Sequence, residues 1–183
     1  MSSDKALLRL GGRPLLEIAT RKALAVTDAV FVVGPRSKFG PEAIEDVFPN
    51  CGPLGGIHAA LATSSAELNL MLAVDLPFVE VEFLRYLRHE AELSSAMVTV
   101  PRTDSGWQPL CAIYRSAFFA RAEKALREGH NKIDALFNQL QLRIVEQPDL
   151  LSAGFKTEMF DNLNTPEDLA RASARLEKER QEF

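Results

Sequence analysis

The stretch Leu68-Asn-Leu-Met-Leu-Ala-Val74, followed directly by Asp75-Leu76-Pro77, determines the fold that we expect for this chain. Such a nearly continuous apolar run predicts a strand with both faces covered, as in the parallel sheet of an α/β protein. Asp75 then lies at the carboxyl end of the strand, where open α/β sheets bind ligands. A carboxylate in that position can hold Mg²⁺ together with phosphate oxygens and waters. The alternative is an aspartate that only shapes a turn.

On both sides of this stretch, short apolar runs alternate with amphipathic segments, which indicates strands joined by helical crossovers. The handedness rule predicts right-handed crossovers. We therefore expect further strands at residues 29–33, 96–100, 109–114, 142–146 and 158–162, and helices at residues 14–25, 57–62, 80–93, 116–128 and 166–182.

The composition predicts one globular domain over residues 1–183, since 46% of the residues are hydrophobic and 25% are charged. A net charge of −4 argues against nucleic-acid binding, which needs a clustered basic surface. Two cysteines, Cys51 and Cys111, are too few for a disulfide framework and lack zinc-site spacing. With no membrane-spanning run and no signal-peptide pattern, we expect a cytoplasmic protein that contacts no membrane.

A glycine-rich motif, Gly52-Pro-Leu-Gly-Gly56, joins a loop to a predicted helix. Its glycines would let the backbone approach a nucleotide and would present free N–H groups at the helix N-terminus. The motif is neither a Walker A loop nor GxGxxG, so a plain turn is the alternative.

Three further motifs leave alternatives open. Lys5 alone predicts only a solvated side chain. The segment Asn162-Leu-Asn-Thr-Pro-Glu-Asp168 predicts a capping box of Thr165 and Asp168, while either asparagine would also reach a ligand or a metal-bound water. The pair Trp107-Gln108 either shapes a substrate pocket or belongs to a loop packed by its tryptophan.

Five segments, taken in order, resemble the molybdenum cofactor guanylyltransferase family, the nucleotidyltransferases that attach GMP to molybdopterin. They are DKALLRLGGRPLLE at residues 4–17, GPLGGIHAAL at 52–61, AVDLPF at 73–78, QPLCAIY at 108–114 and NLNTPEDL at 162–169. The resemblance implies an α/β Rossmann-like nucleotidyltransferase fold, a three-layer sandwich with a mostly parallel sheet. It also implies transfer of GMP from MgGTP to molybdenum-bound molybdopterin, with release of pyrophosphate. Expected partners are other molybdenum cofactor biosynthesis proteins and molybdoenzyme chaperones.

The same resemblance implies site residues. Lys5 and Asp75 would be catalytic, with Lys5 on GTP phosphate and Asp75 on Mg²⁺. Asp46 matches a nucleotide-contacting position for which Glu45 is a rival. The other implied nucleotide-binding residues are Gly34, Gly52, Pro53, Leu54 and Gly55, and the implied acceptor-binding residues are Gln108, Asn162 and Asn164.

The beginning of the chain departs from the family pattern. Family members resembling this chain carry an apolar strand and a loop of the form LAGGxSxRMG just before DKALL, whereas this sequence starts at Met1. We therefore expect an N-terminally truncated domain whose first strand is missing. Because that loop reads the base, a related cytidylyl- or other NTP transferase is one alternative. A non-catalytic binding domain is another.

Overall fold

The structure is a computed structural model that describes residues 5–181. Its strands are β1 (Arg9–Leu10), β2 (Arg13–Pro14), β3 (Leu68–Leu72), β4 (Val98–Thr103), β5 (Gly106–Trp107), β6 (Cys111–Arg115) and β7 (Leu142–Glu146). Its α-helices are α1 (Leu15–Leu24), α2 (Arg36–Phe39), α3 (Gly52–Thr63), α4 (Val81–Glu92), α5 (Phe118–Arg127), α6 (Ile133–Phe137), α7 (Gln147–Ser152) and α8 (Pro166–Gln181). Two 3₁₀ turns span Lys5–Leu7 and Thr157–Phe160.

The central sheet runs in the order β3-β6-β4-β5, and β7 pairs with β4. Strand β6 is antiparallel to both β3 and β4, while β4 and β7 are parallel. Consequently β3, β4 and β7 point the same way. The α/β class is confirmed, and β3 forms one edge of this sheet within residues 5–181.

Helices cover both faces of the sheet, so the domain has three layers. Alternate residues of β3, among them Leu68 and Leu70, pack against a core cluster to which α4 contributes Phe83 and Leu87. Met71 points to the opposite face, where α3 and α5 contribute Ile57 and Phe118. Burial on both faces explains why the sheet strands are rich in apolar residues.

Most predicted elements are confirmed, with ends shifted by at most three residues. The predictions at 68–74, 96–100, 109–114 and 142–146 correspond to β3, β4, β6 and β7. The helices predicted at 14–25, 80–93, 116–128 and 166–182 correspond to α1, α4, α5 and α8, with residue 182 lying outside the described residues.

Two strand predictions are wrong. Residues 29–33 form no strand and make only an isolated bridge between Val33 and Ile44, because no strand within residues 5–181 pairs with the rest of the run. Residues 158–162 overlap the 3₁₀ turn Thr157–Phe160, in which the adjacent side chains of Met159 and Phe160 are both buried. The N–H groups of Met159 and Asp161 donate to the carbonyls of Lys156 and Glu158, both over 3.3 Å, so this backbone forms a local turn instead of pairing with a strand.

The glycine-rich motif also differs from the prediction. Helix α3 begins at Gly52, not at residue 57, so the motif is the first turn of the helix rather than a loop before it. Pro53 stands in that first turn, where its missing N–H costs nothing.

The chain termini of the described region pack together. The β1–β2 hairpin brings Leu10 and Leu15 against Leu163 and Ala172, the latter from α8. None of the helices in this region combines the length and hydropathy required to cross a bilayer.

Candidate functional site

Three residues far apart in sequence meet at the carboxyl end of β3. The Lys5 Nζ atom lies 3.1 Å from Oδ2 of Asp75 and also donates a hydrogen bond to Oδ1 of Asn164. The N–H of Leu163 donates to the backbone carbonyl of Asp75 over 3.0 Å, which fixes the two segments beside each other. The Asp75 side chain is 20% exposed, so it is shielded but open to a ligand. The structure therefore brings together the predicted residues Lys5, Asp75 and Asn164.

Asn164 is positioned by the start of α8. Oδ2 of Asp168 accepts hydrogen bonds from the N–H groups of Asn164 and Thr165, at 2.9 and 2.8 Å, and the N–H of Asp168 donates to Oγ1 of Thr165 over 3.1 Å. The predicted capping box is thereby confirmed. The pKa of Asp168 is lowered mainly by the hydrogen bond from the N–H of Asn164, and next by the one from Thr165. The asparagine beside Lys5 thus stands on a backbone fixed by a capped helix.

A second cation, Lys22, holds the loop that follows Asp75, and the sequence-based prediction missed it. Its Nζ donates to the carbonyl oxygen of Val79 over 2.7 Å and to that of Pro77. Burial lowers the pKa of Lys22. The available signal was its spacing, because Lys22 falls seven residues after buried Leu15 and four after Ile18, on the inward face of α1.

Residues 34 and 46 border a cleft that Asp75 and the first turn of α3 also line. The Asp46 carboxylate faces that turn, since a Cβ added to Gly56 would lie 3.8 Å from Oδ1. Loss of hydration there raises the pKa of Asp46. The rival residue, Glu45, instead accepts a hydrogen bond of 3.0 Å from the N–H of Arg36. This arrangement favours Asp46 over Glu45 as the residue that faces the site.

Gly34 occupies a backbone conformation that residues with side chains rarely adopt. Its φ is +152°, and an added Cβ would lie 2.7 Å from Cε2 of Phe39. Its N–H donates to the carbonyl of Ile44 over 2.8 Å, which ties the segment before Asp46 to residues 32–34. Gly34 therefore allows the chain to turn at the mouth of the cleft.

The first turn of α3 offers backbone rather than side-chain groups. Leu54 is fully buried in the core, and Gly55 is also buried. Gly52 and Pro53 are exposed at the helix start, and Pro53 lines the cleft. The free N–H groups of this twelve-residue helix point toward its N-terminus, where a negatively charged group is stabilised.

The predicted acceptor residues Gln108 and Asn162 are not joined to this group by a contact among the described residues. The N–H of Gln108 donates to the carbonyl of Pro101 over 3.0 Å. Trp107 packs edge-on against Phe137, with ring centroids 5.2 Å apart, as expected for a loop packed by its tryptophan, and an acceptor contact of Gln108 stays a prediction. Asn162 is exposed two residues before Asn164.

The oxygen atoms beside Lys5 suit a hard divalent cation. Residues 5–181 contain no cluster of three or more His, Cys, Asp or Glu side chains arranged for a metal. A single carboxylate is nevertheless the ligand set of a Mg²⁺ ion that completes its shell with phosphate oxygens and waters. Asp75 supplies the carboxylate. The side-chain oxygen of Asn164 accepts a hydrogen bond from the same Lys5 Nζ atom that contacts Asp75.

Comparisons with known proteins identify the family of this chain. Residues 1–144 match the model of the MobA-like NTP transferase domain. A probable molybdenum cofactor guanylyltransferase of Nostoc sp. is 32% identical over 93% of this chain and 83% of its own length.

Solved structures of nucleotidyltransferases share the fold of this chain. The crystal structure of molybdopterin-guanine dinucleotide biosynthesis protein A from Archaeoglobus fulgidus superposes with a TM-score of 0.84 and 28% identity, over 97% of this chain and 92% of that one. A Thermus thermophilus 2-C-methyl-D-erythritol 4-phosphate cytidylyltransferase shares the fold at 20% identity, with a TM-score of 0.67 and 94% of each chain covered.

Proposed function

This chain belongs to the MobA-like NTP transferase family and is a nucleotidyltransferase, and we propose that it transfers GMP from GTP to molybdenum-bound molybdopterin. An oxygen of the acceptor's terminal phosphate would form a bond to the α-phosphorus of GTP. The bond from that phosphorus to the β-phosphate oxygen breaks, and pyrophosphate leaves. The observation that carries the proposal is the convergence of Lys5, Asp75 and Asn164 at the carboxyl end of β3.

Lys5 is the group that neutralises phosphate charge. Its side chain is 39% exposed and, among the described residues, forms its side-chain hydrogen bonds with Asp75 and Asn164, so the flexible lysine can turn toward a phosphate. A positive charge is useful here because negative charge develops on phosphate oxygens during the transfer. The acceptor phosphate is already an anion, so its attack requires no strong general base.

Asp75 provides the carboxylate oxygens for Mg²⁺. When bound, this ion would neutralise phosphate charge and orient the phosphates for in-line displacement. Asp75 would bind the ion directly, and Asn164 would contact the acceptor phosphate or a metal-bound water. Lys22 and Asp168 keep the two backbone segments in register through their hydrogen bonds to residues 77, 79 and 164.

The nucleotide would lie between β3 and the start of α3. We assign nucleotide contacts to the residues of the cleft mouth, and acceptor contacts to the exposed polar residues near it. The nucleotide-contacting residues are Gly34, Asp46, Gly52, Pro53, Leu54 and Gly55, with Leu54 and Gly55 acting through their backbone. The acceptor-contacting residues are Gln108, Asn162 and Asn164. Partners beyond the two substrates would be other proteins of molybdenum cofactor biosynthesis and molybdoenzyme chaperones.

The decisive experiment measures pyrophosphate release with Mg²⁺, molybdenum-bound molybdopterin and each of the four NTPs in turn. We expect release that depends on the acceptor and on GTP. Asp75→Asn should lower turnover by at least 100-fold, because the neutral amide is a poor ligand for Mg²⁺. The exposed Asp161 offers a matched control, and Asp161→Asn should retain wild-type turnover.

Three results would contradict the proposal. Turnover with CTP alone would make the protein a cytidylyltransferase. Binding of MgGTP without turnover would make it a binding domain. Full turnover by Asp75→Asn would remove Asp75 from the mechanism.

A further inference from the structure

Arg102, Trp107 and Glu146 form a group at the same edge of the sheet as Asp75. Arg102 lies near the end of β4 and pairs with Trp107 of β5 and with Glu146, the last residue of β7. Strand β6 lies between β4 and β3, so the group stands roughly 10 to 14 Å to the side of β3 for strands about 4.8 Å apart. None of the three residues lines the cleft in which we place the nucleotide.

The guanidinium of Arg102 occupies a flat site with two acceptors. Its Nε atom donates a hydrogen bond of 3.0 Å to Oε2 of Glu146, and its Nη2 atom donates to Oε1. The carbon at the centre of the guanidinium lies over the ring of Trp107, 4.9 Å from the centroid. A planar group with two neighbouring N–H donors is thus held by a carboxylate and an aromatic face.

The ion pair is not what joins the ends of β4 and β7. Five pairs of residues already connect the two strands in a parallel ladder. Beyond the ladder, the N–H of Asp104 donates to Oε1 of Gln147 over 3.0 Å, and Nε2 of Gln147 donates to Oδ2 of Asp104 over 2.6 Å. The side chains of Arg102 and Glu146 are 45% and 38% exposed, and ion pairs so exposed to water stabilise a fold little. The guanidinium can therefore leave Glu146 without disturbing the strands.

Glu146 and Trp107 keep their positions without the arginine. Glu146 is the N-cap of α7, where its carboxylate accepts a hydrogen bond from the N–H of Asp149 and its own N–H donates to Oδ2 of Asp149 over 3.2 Å. The ring of Trp107 packs edge-on against buried Phe137. Departure of Arg102 would consequently leave a carboxylate and a ring face that are already in place.

We propose that Glu146 and Trp107 bind the pterin ring of the acceptor, and that this ring displaces the guanidinium of Arg102. The inference rests on the proposed transfer to molybdopterin. The pyrimidine ring of a pterin contains a guanidine unit, whose N3–H and 2-amino group are two neighbouring donors in one plane. These donors match Nε and Nη2 of Arg102, so the pterin can bind the same two oxygens and lie over the same indole face.

Guanine carries the same pair of donors, but the nucleotide has another place in the structure. Asp75 lines the cleft beside the start of α3 and follows β3, so it stands between that cleft and the group at Glu146. A base in the cleft and a ring over Trp107 would both direct their phosphates toward Asp75 and Lys5. The separation of Glu146 from β3 leaves room for the fused rings and the phosphate arm of the acceptor.

The test uses the fluorescence of Trp107, which is the single tryptophan of the chain. Titration of the full chain with pterin (2-amino-4-oxopteridine), without nucleotide, should quench this emission saturably. Lumazine is the matched control, since an oxo group replaces the 2-amino group and removes one of the two donors. It should bind at least 10-fold more weakly. Guanosine monophosphate examines the other source of this chemistry and should not displace pterin.

Variants separate the carboxylate from the arginine. Glu146→Gln should weaken pterin binding at least 10-fold, because the amide offers one acceptor oxygen instead of two, while that oxygen can still cap α7. Arg102→Met should bind pterin more tightly than the wild type, because no ion pair has to open. Glu82→Gln removes an exposed ion pair with Arg85 in α4 and should behave like the wild type. In turnover, Glu146→Gln should raise KM for the acceptor at least 10-fold and leave KM for GTP unchanged.

Equal affinity for pterin and lumazine, displacement of pterin by guanosine monophosphate, or unchanged binding by Glu146→Gln would overturn the proposal. Equal or weaker binding by Arg102→Met would overturn the displacement of the guanidinium. Pterin binding that depends on Glu146 in a protein without GMP transfer would contradict the proposed function alone. Transfer with an unchanged acceptor KM in Glu146→Gln would contradict the pterin site alone.

Discussion

The ammonium group of Lys22 donates a hydrogen bond of 2.7 Å to the carbonyl oxygen of Val79, and it also donates to that of Pro77. The contact joins α1 to the loop between Asp75 and α4. Val79 is fully buried, so its carbonyl has little access to water that would replace the lysine. One side chain therefore satisfies two backbone acceptors and sets the course of the chain just after the candidate metal ligand.

We expect Lys22→Met to lower the free energy of unfolding by about 1–3 kcal/mol, the cost of leaving buried acceptors unpaired. Urea denaturation followed by circular dichroism measures the change. The neighbouring Arg21 supplies a control. Its side chain makes an exposed ion pair with Glu17, so Arg21→Met should cost about 0.5 kcal/mol or less. Equal effects of the two substitutions would show that Lys22 has no special role.

Asp168 should make the stability of the fold at the start of α8 depend on pH. Its pKa is lowered in the folded state by the N–H groups of Asn164 and Thr165. A lowered pKa means that the charged carboxylate stabilises the fold above the usual value of 3.8, and that this stabilisation is lost as the pH falls through the folded-state pKa. Asp168→Asn should therefore lower Tm at pH 7, and the difference from wild type should shrink below about pH 4.

Glu167→Gln is the control for this prediction, because Glu167 is an exposed acid in the same first turn. It should show a smaller effect on Tm at pH 7. A difference between Asp168→Asn and wild type that stays constant from pH 7 to pH 3 would contradict the role of the carboxylate.

Local patterns predicted the elements whose partners are present. The run at residues 68–74 forms a strand because β6 pairs with it. The helical spacing of apolar residues in α4 correctly predicted that helix, because those residues pack in the core beside the sheet. Residues 29–33 are equally apolar but formed only the Val33–Ile44 bridge. Strand formation depends on a neighbouring backbone, and a pattern of side chains does not report whether that neighbour is in place.

Only part of the candidate site could be predicted from local sequence patterns. Asp75 follows from its position after a strand, and the Thr165–Asp168 capping box follows from local spacing. The meeting of Lys5 with Asn164 spans 159 positions in the chain, so only the resemblance to a family pointed to it before the fold was known. Lys22 donates to backbone carbonyls, and because every residue has one, the sequence does not indicate which carbonyls it would bind.

Gly34 is a position where we expect a small change to have a large effect. Gly34→Ala places a residue at φ +152° and a methyl group 2.7 Å from Cε2 of Phe39. Strain at such a conformation costs about 1–3 kcal/mol, and the collision adds to it. Urea denaturation should show the loss, and GTP binding should weaken with it if Gly34 contacts the nucleotide.

Gly154→Ala separates strain from collision. Gly154 has φ +88° but nothing lies within 4 Å of an added Cβ, so this variant reports strain alone and should lose less stability than Gly34→Ala. Adding Phe39→Ala should recover part of the cost of Gly34→Ala. A double-mutant cycle that gives no coupling between residues 34 and 39 would refute the predicted collision.

Asp46 should show the opposite sign from Asp168. Loss of hydration beside the first turn of α3 raises its pKa in the folded state above the usual 3.8, so the folded form binds more protons and the charged form opposes folding. As the pH rises through the folded-state pKa, wild type should lose stability that Asp46→Asn keeps. The variant should therefore have the higher Tm at pH 7 and no advantage at pH 3. If Asp46 contacts the nucleotide, the same variant should bind GTP more weakly, whereas Glu45→Gln should not. A stabilised Asp46→Asn variant with unchanged GTP affinity would separate the electrostatic prediction from the binding assignment.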